Sequence, residues 1–199
     1  WGEMVFVSNG EILAAFSVTV YPTVSDIDTY ILKSTSGGSS WTDIGFLGPL
    51  VSINTGGGSG MILGNDGNIY LGTGQAGLLK SPDFGTNWSG VTSVTSMFTS
   101  FVQKGNAGNS IYEGEAYGIS RSTDNCGSFN FLGPFNAWSY TKEVGIGPND
   151  DIYIALADGR IFITKDMGNT WVENHTGISY GFQTTSITFM NGKVYLAGN

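Results

Sequence analysis

The sequence predicts an all-β chain in which one four-stranded antiparallel sheet repeats, on three observations. A strand-like segment recurs at a fixed period. "NIYLGT", "SIYEGE", "DIYIAL" and "KVYLAG" place Tyr70, Tyr112, Tyr153 and Tyr195 at intervals of 42, 41 and 42 residues. A polar turn ending in an aromatic residue recurs in step with it, as "STSGGSSW", "SPDFGTNW", "STDNCGSF" and "TKDMGNTW". Between these marks lie short apolar runs punctuated by Gly, Asn and Asp, as hairpins require, with no helical periodicity longer than a turn or two. A lone sheet of about forty residues cannot bury both faces, so such units must stack on one another, and the architecture expected is a β-propeller.

In the first unit "MVFVSN" reads as the first strand and "EILAAF" as the second, with Leu13 where the tyrosine would stand. Leu13 precedes Tyr70 by 57 residues, and the excess is expected in "TVYPTVSDID" (19–28) or "INTGGGSG" (53–60). The latter lacks the Lys and following helix of a phosphate loop and reads as a flexible connection. The fourth unit shows all four strands, "KEVGIG", "DIYIALA", "GRIFITK" and "TWVENH". Blades are expected near 4–48, 49–93, 94–136 and 137–177, with a partial fifth over 178–199. The fifth, "TSITFMNGKVYLAGN", holds two strands, so eighteen stand where five full sheets need twenty. Trp1 stands only 12 residues before Leu13, whereas Tyr112 and Tyr195 each follow a turn Trp by 24, so the N-terminus does not supply the missing pair. The expectation is one propeller cut from a longer propeller or chain. Its last blade would be completed by more of its own polypeptide or by a strand from a neighbouring subunit. An opening Trp1 in place of Met fits a processed or truncated product.

The recurring turn lies between the third and fourth strands. There Asp83 and Asp166 can accept nearby backbone N–H groups, Gly85 and Gly168 supply positive φ, and Trp88 and Trp171 turn back to pack between adjacent sheets. The spacing resembles the Asp-box, or bacterial neuraminidase repeat, S-x-D-x-G-x-T-W. Ser81, Asp83, Gly85 and Trp88 match it, with Asn87 at the Thr position. Asp166, Gly168 and Trp171 match it, with Thr164 at the Ser position. Ser34 and Trp41 frame a copy in which Ser36 replaces the Asp. Ser122 and Asp124 begin a looser copy, read with an extra residue before Gly127 and Phe129 near the Trp position. The resemblance implies peripheral boxes that serve the fold rather than a reaction. The family ranges over sialidases, some endoglucanases, sortilin-type receptors, photosystem assembly factors and many secreted or phage proteins.

Composition narrows the function classes. Of 199 residues only 12% are charged, the formal net charge is −8 with eight Lys+Arg, and 31 are glycine. There is no basic footprint for nucleic acid, and no apolar run long enough for membrane insertion. Cys126 is alone and forms no internal disulfide. "NWS" at Asn87 and "NHT" at Asn174 are glycosylation triplets of the kind that arise by chance. The neutral, Gly-, Ser-, Thr- and Asn-rich surface suits an extracellular or particle-surface setting.

Catalytic chemistry finds few carriers. A sialidase needs three arginines around a carboxylate, and this chain has Arg121 and Arg160 alone. A glycosidase needs two carboxylates facing across a cleft. The candidates outside the boxes are Asp26, Asp28, Glu113, Glu115 and Glu143, with Asp150 and Asp151 in a turn. Glu113 and Glu115 alternate to one face of a strand, where they either point together or sit solvated at an edge. Asp26 and Asp28 are expected on a long first-unit loop, the kind of element that carries function. His175 has no second His or Cys nearby, so neither a metal nor a cofactor is expected, and Cys126 lacks a basic partner that would make it a nucleophile. For recognition, Tyr21, Tyr117, Trp138 and Tyr140 are the aromatic candidates, with Tyr180 and Phe182. The function expected is a non-catalytic binding or structural module whose partner is a glycan or another protein subunit. The alternative is part of a glycoside hydrolase whose carboxylates lie partly outside this chain.

Overall fold

A computed structural model describes residues 2–7, 10–19, 27–47, 60–73, 76–93, 101–106, 109–115, 118–133, 139, 141–174, 176–179 and 181–198; for 19, 27, 28, 46, 101 and 115 it describes the backbone alone. Sheet one holds β1 (Gly2–Phe6), β2 (Ile12–Thr19), β3 (Ile27–Ser34) and β4 (Thr42–Phe46). Sheet two holds β5 (Met61–Leu63), β6 (Ile69–Thr73), β7 (Gly77–Ser81) and β8 (Ser89–Gly90). Sheet three holds β9 (Phe101–Lys104), β10 (Ile111–Glu115), β11 (Gly118–Ser122) and β12 (Asn130–Phe131). Sheet four holds β13 (Thr141–Ile146), β14 (Ile152–Leu156), β15 (Ile161–Thr164) and β16 (Val172–Glu173). The fifth sheet has β17 (Thr184–Met190) and β18 (Lys193–Gly198). Strands follow one another in chain order and all pairs are antiparallel, as the sequence periodicity predicts.

The sheets stack face to face, and both faces of the central ones are apolar for that reason. Leu13, Ala15 and Ile31 of sheet one meet Met61, Ile69 and Leu71 of sheet two. Ile62, Tyr70 and Leu78 meet Val102, Ile111 and Cys126 of sheet three. Tyr112 and Ile119 meet Val144, Ile152 and Ile154 of sheet four. Ala155 and Ile161 meet Ile187 of the fifth. The periodic tyrosine of each sheet thus faces the next sheet. Tyr70 and Tyr112 are wholly buried, Tyr153 is half-buried under a two-stranded neighbour, and Tyr195, which faces no further sheet among the described residues, is 46% exposed. One repeated residue therefore records how completely each sheet is covered.

Two expectations change. Asp28 is not on a loop: β2 and β3 run eight residues each, and Asp28 lies in β3 opposite Val18. Arg160 is in the turn before β15, where it bonds Asp158 at 2.7 Å, and only Arg121 sits in a third strand.

Candidate functional site

Three features offer themselves as sites: the repeated turns, the inner strands and a sheet face left exposed among the described residues. In each turn a hydroxyl at the end of the third strand accepts the N–H four residues on. Ser34 takes Gly38 at 2.9 Å, Ser81 takes Gly85 at 2.8 Å, Ser122 takes Cys126 at 2.9 Å and Thr164 takes Gly168 at 2.9 Å. Two residues further, Asp83, Asp124 and Asp166 accept the N–H groups of Asn87, Ser128 and Thr170, and Ser36 does the same for Ser40. Each aspartate also receives the side chain of that residue at 2.6–2.7 Å. These bonds hold all three carboxyls below the usual carboxylate range. Asp124 is brought down to about 2, chiefly by the Ser128 hydroxyl.

The shared bonds correct the reading of the third turn. No residue is inserted: Cys126, not Gly127, occupies the glycine position, with φ +64°. Cys126 accepts that backbone because its side chain is buried against sheet two, and burial pushes its thiol up to about 12, away from nucleophilic use. The turns join adjacent sheets. Trp171 donates to Gly168 O and to Leu132 O of sheet three, both at 3.1 Å, and Trp88 packs on the core shared with sheet one. Trp41 departs from this pattern and is 39% exposed, with no preceding sheet packed on it among the described residues.

The first strands of successive sheets stand side by side, and polar side chains tie them together. Glu3 on β1 accepts the Gly60 N–H beside β5, Gln103 on β9 donates to Val144 O on β13 at 2.9 Å, and Glu143 on β13 accepts the Ile187 N–H on β17. Burial raises Glu143 to about 7, the Ile187 N–H opposes this, and the nearby Glu3 carboxylate adds to it; burial raises Glu3 too. Glu3 and Glu143 thus both sit on first strands, near enough for one carboxylate to raise the other. Glu3 does not stand out in sequence because the groups it meets, the Gly60 N–H and the Glu143 carboxyl, belong to other sheets.

Carboxyls that are raised and those that are lowered act on stability in opposite pH windows. The turn aspartates contribute stability above their unfolded value near 3.9, and it is lost as pH falls toward 2. Glu143 behaves inversely: its folded form holds the proton more tightly, so stability falls as pH rises from its ordinary 4.5 through about 7. Maximum stability is expected near pH 4–5. Glu143→Gln should flatten the decline above it, as read by urea midpoints from pH 4 to 8; an unchanged decline would place Glu143 in water.

The other sequence candidates divide as follows. Glu113 is fully buried between Val102 and Ser120 on the face toward sheet two, not solvated at an edge. Glu115 lies opposite Gly118 with its side chain outside the described part, and so does the side chain of Asp28. Tyr21, Asp26, Tyr117, Trp138, Tyr140, His175 and Tyr180 fall outside the described residues. Among the described residues no group of three His, Cys, Asp or Glu is placed to hold a metal.

The third feature is apolar. On the face of sheet one that points away from sheet two, Phe6 is 71% exposed, Met4 58% and Val18 43%. Phe16 and Tyr30 stack beside them with ring centroids 6.2 Å apart. In the sequence the signal was "EMVF", apolar on alternate residues of both faces rather than one.

No protein-family model and no curated protein matches the chain. Solved structures do. A GH74 xyloglucanase from Xanthomonas campestris aligns at TM-score 0.71 and 17% identity over 89% of this chain and 31% of its own. A GH74 enzyme from Niastella koreensis aligns at 0.69 and 20% over 87% of this chain and 29% of its own. YCF48 bound to a D1 peptide aligns at 0.62 and 17% over 95% of this chain and 58% of its own. The chain thus spans less than a third of either GH74 chain. Together with the stacked four-stranded sheets, this likeness makes the chain a β-propeller, with four sheets of four strands and one of two among the described residues.

Proposed function

We propose that this propeller is a non-catalytic binding or structural module that engages another protein through the uncovered face of sheet one. The observation that carries the reading is the exposure of Phe6, Met4 and Val18 together on a regular strand surface, with Trp41 also exposed on the same sheet. A contiguous apolar patch of this kind marks association surfaces. YCF48, which shares the fold, was solved with a peptide bound. The four turns are read as Asp-box turns, supported by their common hydrogen bonds, and as such they belong to the scaffold. Low charge and abundant Gly, Ser, Thr and Asn support an extracellular or particle-surface setting.

The test is retention on paired peptide and glycan arrays by the wild type and Phe6→Ser. Because Phe6 is largely in solvent, the substitution should change stability by no more than about 0.5 kcal/mol. The expected result is retention on apolar peptides that Phe6→Ser abolishes. Retention on glycans alone, indifferent to Phe6→Ser, would move the site to another surface.

One observation favours a second reading, part of a glycoside hydrolase: Glu143 holds a proton near neutrality with Glu3 close by. Against it, each carboxyl already accepts a backbone N–H of the adjoining inner strand, the work of a strut.

A further inference from the structure

The turns that join first to second strands bridge two seams between sheets and leave a third open. Between sheets two and three, Asn65 Nδ2 donates to Asn109 Oδ1 at 2.8 Å. Between sheets three and four, the Asn106 N–H donates to Asp150 Oδ1 at 2.6 Å, and Asn106 Nδ2 to Gly147 O at 2.8 Å. Among the described residues no hydrogen bond joins the corresponding turns of sheets four and five. Turn length is the cause. Five or six residues join β5 to β6, β9 to β10 and β13 to β14, whereas Asn191 and Gly192 alone join β17 to β18. Both take positive φ, +52° and +69°, in the tight hairpin turn that Asn-Gly favours. So short a turn does not reach its neighbour.

The open seam is a pocket of about 290 Å³. Tyr153 and Phe189 line it edge to face, with ring centroids 5.2 Å apart. Asn149 and Asp151 from the turn of sheet four, and Asn191 and Lys193 from sheet five, supply its polar groups. Burial, and then the nearby Asp151 carboxylate, push the Tyr153 phenol up, so it keeps its proton. Among the described residues neither Asp151 nor Lys193 belongs to an ion pair, and the side chains of Asn149 and Asn191 make no hydrogen bond.

This set of groups defines a ligand chemistry. The carboxylate accepts, the ammonium and the phenol donate, and the two amides do both. Asp151 disfavours an anion, and Lys193 disfavours a cation. Such a set beside two rings is satisfied by a neutral molecule with an apolar face and several hydroxyls, each able to donate and to accept.

We propose that this pocket binds a neutral sugar ring, its C–H face against Tyr153 and Phe189 and its hydroxyls on Asp151, Lys193 and the two asparagines. The volume, at the small end for ligand pockets, holds one or two rings. The pocket shares no residue with the exposed face of sheet one, so it is a second site for a different kind of ligand.

The experiment titrates the isotope-labelled 199-residue chain with methyl glucoside, methyl galactoside and methyl xyloside, and separately with glycine, followed by amide chemical shifts. The expected result is saturable binding of at least one glycoside, with a dissociation constant on the order of millimolar and the shifts confined to 149–153 and 189–194. Asp151→Ala and Lys193→Ala should each weaken binding about tenfold while the rest of the amide spectrum stays in place. Phe6→Ser should leave it unchanged. No shift with any of the three glycosides overturns the proposal, as do shifts that map elsewhere or binding that neither pocket variant weakens. So does binding of glycine in place of the glycosides, which would make Asp151 and Lys193 a site for a zwitterion. Loss of glycoside binding in Phe6→Ser also overturns it, by moving the sugar to sheet one.

Discussion

Replacing Gly85 by alanine is expected to lower stability by about 3 kcal/mol, from two additive causes. The residue sits at φ +88°, a backbone region that L side chains avoid. An added Cβ would also stand 2.9 Å from Leu13 Cδ1 and 3.3 Å from Ile31 Cγ2, both fully buried in sheet one. The turn of sheet two is pressed onto the preceding sheet, and backbone alone fits between them. Gly37, also at positive φ but with nothing within 4 Å, supplies the control: its alanine variant should show the conformational cost without the packing cost. Equal losses at the two positions, measured by urea denaturation, would mean that sheets one and two do not meet at this turn.

Trp171→Ala should cost about 3 kcal/mol, and Trp41→Ala about 1 kcal/mol, although the two occupy the same place in the motif. Trp171 packs on the core shared by sheets three and four and bonds Leu132 O across the seam, so its loss opens a cavity and unties two sheets. Trp41 bonds Gly38 O in its own turn, and more than a third of it remains in solvent. Matched losses in thermal denaturation would mean that sheet one is covered in solution by something that also buries Trp41.

The fold was legible because its period is written in residues whose roles do not vary. The tyrosines mark second strands in sheets two to five, and a turn hydroxyl, joined by an aspartate in three turns and a tryptophan in three, marks the step from third to fourth strand. The third turn was misread for a physical reason: aligning on glycine assumes that only glycine takes positive φ, and Cys126 takes it where burial against Tyr70 and Ile62 compensates. The candidate site was far less legible. Alternation in "SIYEGE" predicted that Glu113 shares a face with Glu115 but not that another sheet covers that face. The pairing of Glu3 with Gly60, and of Glu143 with Ile187, depends on how the sheets close around the axis, which no local pattern encodes.

The central claim is that the axial carboxyls are struts of a binding module. Initial rates on a panel of chromogenic glycosides from pH 4 to 8, for the wild type and Glu143→Gln, test it most directly. The account predicts no turnover above background in either protein, with Glu143→Gln the more stable of the two above pH 7, where the wild type must hold a buried charge. Turnover by the wild type that Glu143→Gln abolishes while remaining folded would contradict it.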